Sequence, residues 1–168
     1  MPANAHPAGY TSSQIVLHWL IAALVVFQLI FGEDVGPAFD AFIEGRTPSP
    51  DTLLPANLHV YVGLLILALA LVRLALRAMY GAPAAPEGEP AWQRYLAATA
   101  HVVLYGAIVL LPLSGAMAWY LGLEEVGEIH ALGKPVLIVV ISLHAAAALW
   151  QHFFARTDVL KRMLRPSA

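Results

Sequence analysis

The sequence predicts an all-α integral membrane protein, a four-helix bundle with both termini in the cytoplasm. Three observations lead there. The chain of 168 residues is 60% hydrophobic and only 12% charged, where soluble domains are about 45–50% apolar and about 25% charged. Four apolar segments, at about 12–32, 56–79, 95–121 and 129–155, each supply the roughly 20 residues that a helix needs to cross the hydrocarbon core. Basic residues also gather at alternate ends of those segments. The length suits a single domain over residues 1–168.

The first segment, QIVLHWLIAALVVFQLIF, is expected to start at an N-cap on Ser12 or Ser13. It does not read as a cleaved signal, because residues 1–17 hold no Lys or Arg and no clear small-residue cleavage site follows. The second, NLHVYVGLLILALALVRL, ends on Arg73 and Arg77. The linker GAPAAPEGEPAW is too rich in proline to extend either neighbouring helix. The third runs to about residue 121, and the fourth is EIHALGKPVLIVVISLHAAAALW. Pro135 predicts a kink or a late start at the outer end of the fourth. None of these runs alternates with the period of two of a barrel strand, and helices satisfy their own backbone in lipid.

Charge sets the orientation. Arg73, Arg77, Arg94, Arg156, Lys161, Arg162 and Arg165 fall on one side of four alternating helices. Glu33, Asp34, Asp40, Glu44, Asp51, Glu124, Glu125 and Glu128 fall on the other, with Arg46 and Lys134 alone opposing them. The positive-inside rule then puts the termini and the second loop in the cytoplasm, as in a bacterial cytoplasmic membrane.

Four histidines, His18, His59, His130 and His144, lie within apolar segments. Ionisable groups at membrane depth cost free energy and mark functional sites. His18 is near the inner start of the first helix, and His59 near the outer start of the second. His130 and His144 are fourteen residues apart, about 21 Å of helical rise and about 40° of rotation. Depth therefore pairs His59 with His130 in an outer layer and His18 with His144 in an inner one. Two imidazoles per layer suit an iron porphyrin better than zinc, which commonly takes three or four protein ligands. With no cysteine in the chain, covalent c-type attachment and thiolate clusters are excluded. Two non-covalent b haems are the expected cofactors. Small residues near the ligands (Ala22, Gly63, Gly133 and the alanines after His144) leave room for a flat macrocycle, although small residues also serve helix packing in lipid.

The residues Gln14-x-x-x-His18-Trp19-Leu20, His59-x-x-x-Gly63 with Arg73-x-x-x-Arg77, Leu111-Pro112-x-x-Gly115 and Leu143-His144-Ala145-Ala146-Ala147-Ala148-Leu149 resemble the bacterial cytochrome b561 family over roughly residues 10–165. The resemblance implies two haems on His18 with His144 and His59 with His130, and electron exchange with a quinone, ubiquinone being the expected species. At least one such protein resembles a superoxide oxidase.

Arg73, fourteen residues past His59, is a candidate for binding a haem propionate through its planar guanidinium. His101 shares the inner layer, either as an alternative ligand or as a neighbour of a quinone. His152 is a candidate for contact with a propionate or quinone, and His6 is expected to be solvated. Trp19, Trp92, Trp119, Tyr10, Tyr80, Tyr95 and Tyr120 read as an interfacial belt. The competing functions are an electron-transfer cytochrome with a cationic periplasmic redox protein as partner, a superoxide:ubiquinone oxidoreductase, a membrane subunit of a larger dehydrogenase or hydrogenase, and a non-redox transporter or channel. Nothing in the composition points to nucleic acid.

Overall fold

Apolar runs this long can satisfy their backbone in lipid only as helices, and helices dominate the structure. The computed structural model describes residues 7–166, apart from the side chains of Glu33 and Asp34; His6 lies outside the described residues. Among the described residues seven helices run in order: α1 (Ser12–Phe31), α2 (Gly36–Ile43), α3 (Pro50–Tyr80), α4 (Ala91–Leu121), α5 (Glu124–Ala131), α6 (Gly133–Phe153) and α7 (Val159–Arg162). A 3-10 turn, Gly32–Val35, joins α1 to α2. Among the described residues four stretches are long and apolar enough to cross a membrane, namely α1, α3, α4 and the combined segment Glu124–Phe153.

Local chemistry explains the boundaries. Thr11, rather than Ser12 or Ser13, caps α1: its side chain accepts from the Gln14 amide while the Gln14 side chain accepts from the Thr11 amide. This reciprocal box needs a hydroxyl residue three places before a Gln or Glu, and only Thr11 has that spacing. Helix α3 starts at Pro50, six residues before the predicted segment, because proline suits the first turn of a helix. Pro55 then lies inside the helix. The loop between α1 and α3 contains α2, which has Pro37 in its first turn and buries Ala38 and Ala41 on one face.

The fourth span is two pieces. It breaks at Leu132, and α6 begins at Gly133 with Pro135 in its first turn. Proline removes a helical donor and clashes with the preceding turn, so the outer piece, α5, folds separately and packs mainly on α4.

Close packing follows the series α1–α3, α3–α4 and α4–α6. Ile21, Val25 and Ile66 form the buried core, flanked by Leu24, Leu29, Val62, Leu69, Ile108, Leu137 and Ile141. This layer is wholly aliphatic and lies between the two levels of histidine. Large apolar side chains such as Leu54, Val102, Leu110 and Leu143 face outward, each more than 60% exposed. In lipid such a surface is ordinary, since acyl chains solvate it as well as a protein interior would.

Candidate haem sites

In the outer layer, the His59 and His130 rings face each other with centroids 5.9 Å apart and planes at 87°. The motif that opens with Leu111 now has a physical role. His130 lies against α4, where its Nδ1–H donates to the Leu111 carbonyl at 2.9 Å, with Ser114 Oγ 3.3 Å from the same nitrogen. A carbonyl only accepts, so the proton sits on Nδ1 and Nε2 keeps its lone pair, which is the tautomer a metal ligand needs. Gly115 makes the close approach feasible, because a Cβ there would come within 2.8 Å of His130 Cε1. A Cβ on Gly133 would run into the Leu111 side chain, so that glycine keeps α6 close to α4.

His59 rests against the last turn of α1. A Cβ on Gly32 would lie 2.6 Å from His59 Nδ1. Gln28, one turn earlier, donates from Nε2 to the His59 carbonyl at 2.8 Å. Phe27, Gln28, Phe31, Pro55, Leu58 and His59 line a cavity of about 270 Å³. Sequence reasoning did not single out Gln28 or Gly32; the only signal was one amide within an apolar run.

The inner layer holds three imidazoles. His144 sits between His18, at 6.3 Å and 63°, and His101, at 5.3 Å and 78°. Arg73 Nη1 donates to the Gln14 carbonyl at 2.5 Å, and Gln14 Nε2 donates to the Gly81 carbonyl at 3.1 Å. These bonds join the start of α1 to the inner end of α3. Arg73, Arg77, Tyr10, Gln14 and Tyr105 line one cleft, with the Arg77 guanidinium 5.8 Å from the Tyr105 ring centroid. His152 is not in this cluster. It stacks edge-on with Phe153, and its buried Nδ1 has no hydrogen-bond partner.

These residues fit a haem. Metal–imidazole bonds of about 2 Å place the centroids of two opposed imidazoles about 6 Å apart, close to the separations of His59–His130 and His18–His144. The glycine notches and the unpartnered His59 Nδ1 in its cavity also suit a ligand shell around a planar group.

The prokaryotic cytochrome b561 family model matches residues 9–166. The chain belongs to that family. It is thus a membrane electron-transfer cytochrome of the b type, a multi-pass protein of the bacterial inner membrane that associates with the lipid bilayer. It is 36% identical to a cytochrome b562 of Cereibacter sphaeroides over 94% of this chain and 96% of that protein. It is 27% identical to cytochrome b561 homolog 1 of Escherichia coli K12, over 92% of this chain and 96% of that one. A probable superoxide oxidase of Yersinia pestis is also 27% identical, over 92% and 95%.

Proposed function

We propose that this cytochrome carries two b haems, one held by His59 and His130 towards the outer face and one by His18 and His144 towards the inner face. It transfers electrons between a membrane quinone, ubiquinone on our reading, and a periplasmic redox partner. The observation that carries this reading is the pair of facing imidazole sets on either side of an aliphatic core. Haem iron would supply reversible one-electron exchange when bound, and two imidazoles per site would hold it. The Nδ1–H bond of His130 to the Leu111 carbonyl supports its role as a ligand through Nε2, and on this reading Arg73, at the level of the inner imidazoles, binds a propionate. The aliphatic layer counts against a channel or proton relay, which needs polar groups at that depth. The segregation of basic residues supports cytoplasmic termini.

A superoxide:ubiquinone oxidoreductase is the second reading, favoured by the likeness to the probable superoxide oxidase. Electrostatics oppose it. The outer loops carry eight acids, and Arg46 is already engaged by Glu44. Such a field attracts a cationic protein and repels a small anion. Membership of a larger dehydrogenase or hydrogenase predicts a soluble subunit that copurifies from native membranes.

A pyridine haemochrome assay against protein concentration should give two haems per chain. His144→Ala should lose the inner haem and keep the outer one, and His59→Ala the converse. A value near zero rejects the reading. If His18→Ala keeps both haems while His101→Ala loses the inner one, the inner pair is His101 with His144.

A further inference from the structure

The two outer histidines differ at their second ring nitrogen. His130 Nδ1 is bonded to the Leu111 carbonyl, whereas His59 Nδ1 is buried without a partner. Gln28 Oε1 is likewise buried and unpartnered. Both residues line the cavity beside the outer pair. The orientation of the Gln28 amide is settled by chemistry, because its nitrogen donates to the His59 carbonyl, which can only accept. That leaves the amide oxygen as an acceptor without a donor. His59 Nδ1 faces α1 at Gly32, four residues after Gln28 and hence about 40° away on the same side of the helix.

We infer that Gln28 is the positioning residue of His59: its amide N–H grips the His59 carbonyl, and its Oε1, unbonded to Nδ1 in this structure, accepts the Nδ1 proton when the ring turns its Nε2 to a bound iron. The inference rests on the reading of His59 as a haem ligand. Ligating histidines nearly always donate their other ring N–H to an acceptor, and loss of that acceptor commonly weakens metal binding about 10- to 100-fold. Accepting from Nδ1 makes the imidazole more electron-rich, which stabilises ferric over ferrous iron. Gln28 thus lowers the potential of the outer haem and leaves the inner one alone. Gly32 gives the His59 ring its room and Gly63 the amide: a Cβ on Gly63 would lie 3.4 Å from Gln28 Nε2.

The test compares full-length wild type, Gln28→Met and Gln28→Glu by redox titration, ferric low-spin EPR and haem stoichiometry. Met matches the length of Gln and removes both hydrogen bonds. It should raise the midpoint potential of the outer haem, shift its EPR signal and make that haem about 10- to 100-fold easier to extract, with the inner haem unchanged. Glu keeps an acceptor and should hold the outer potential at or below that of wild type. Wild-type values in Gln28→Met, or an outer potential above wild type in Gln28→Glu, overturn the role of Gln28. If Gln28→Met does not accumulate, the Glu variant alone decides. His59→Ala, prepared in parallel, separates the two claims, since retention of both haems there rejects His59 as a ligand whatever Gln28 does.

Discussion

At His130 a few tenths of an ångström decide whether the ring can lie on α4. Its Nδ1–H reaches the Leu111 carbonyl only because Gly115 offers no side chain. Gly115→Ala would force the imidazole off that carbonyl, and overpacking of this kind costs about 1–3 kcal/mol. The expected result is loss or marked weakening of the outer haem, with the content falling from two towards one and the inner potential preserved. Gly106→Ala is the control, since a Cβ at Gly106 meets nothing within 4 Å. Difference spectra and haem stoichiometry of the two variants check this directly. That His59 lies beside His130 and His18 beside His144 was readable from depth, but that His101 lies closer still to His144 was not. The contacts that orient them were not readable, because His130 and His59 are both held through backbone carbonyls, and a carbonyl leaves no mark on residue identity.

Among the elements, the C-terminal segment does more than anchor charge. Trp19 Nε1 donates to the Met163 carbonyl at 2.7 Å, and Arg162 Nη1 to the Ala84 carbonyl at 2.8 Å. Gln151 Nε2 donates to Glu89 and Gln93, and Thr157 Oγ1 donates to Gln151 Oε1. The tail is thereby strapped across α1 and the linker at the inner end. Within α7, the hydrogen bond and charge of Arg162 hold the Asp158 carboxyl below its ordinary range. A lowered carboxyl pKa means that the pair contributes fully above the ordinary carboxylate range, and that its contribution fades as the pH falls through the lowered value. For an exposed i,i+4 pair this is about 0.3–0.5 kcal/mol. Asp158→Asn at neutral pH should therefore speed amide exchange in residues 159–165 about twofold, and the difference from wild type should vanish in acid. The four long spans were legible as apolar runs, and Pro135 marked the break in the fourth. Helix α2 was not expected; it is too short and too near the charged loop to show a membrane period.

On the scale of the whole molecule, the proposed cationic partner follows from the acidic residues of the first and third loops. Steering by such a field weakens as salt rises, because the Debye length shrinks from about 30 Å at 0.01 M to about 10 Å at 0.1 M. Stopped-flow reduction by a basic soluble cytochrome should slow as salt is added. Reduction by superoxide should be slow, or should quicken as repulsion is screened. Near diffusion-limited reduction by superoxide that slows with salt would establish the oxidase reading instead. Charge asymmetry was fully visible in the sequence, but the engagement of Arg46 by Glu44 was not; the pair cancels locally and leaves the net outer charge as a count of charges gives it.

The aliphatic layer of Ile21, Val25, Ile66 and their neighbours has an electrical consequence. Gln28, at the level of His59, is ten residues from His18 on the same helix, about 15 Å of rise, or about half of a hydrocarbon core of about 30 Å. An electron passing between the proposed centres crosses that layer with no side chain in it to carry a compensating proton. Each transfer then works with or against roughly half the membrane voltage, about 1.1 kcal/mol per 100 mV where a full crossing is worth about 2.3. In sealed vesicles, a potential of 100 mV should shift the distribution of electrons between the two haems about sevenfold, in opposite directions for opposite polarity, and an uncoupling ionophore should abolish the shift. On this account the protein behaves as a small capacitor in the inner membrane, and the voltage across that membrane governs which way it discharges.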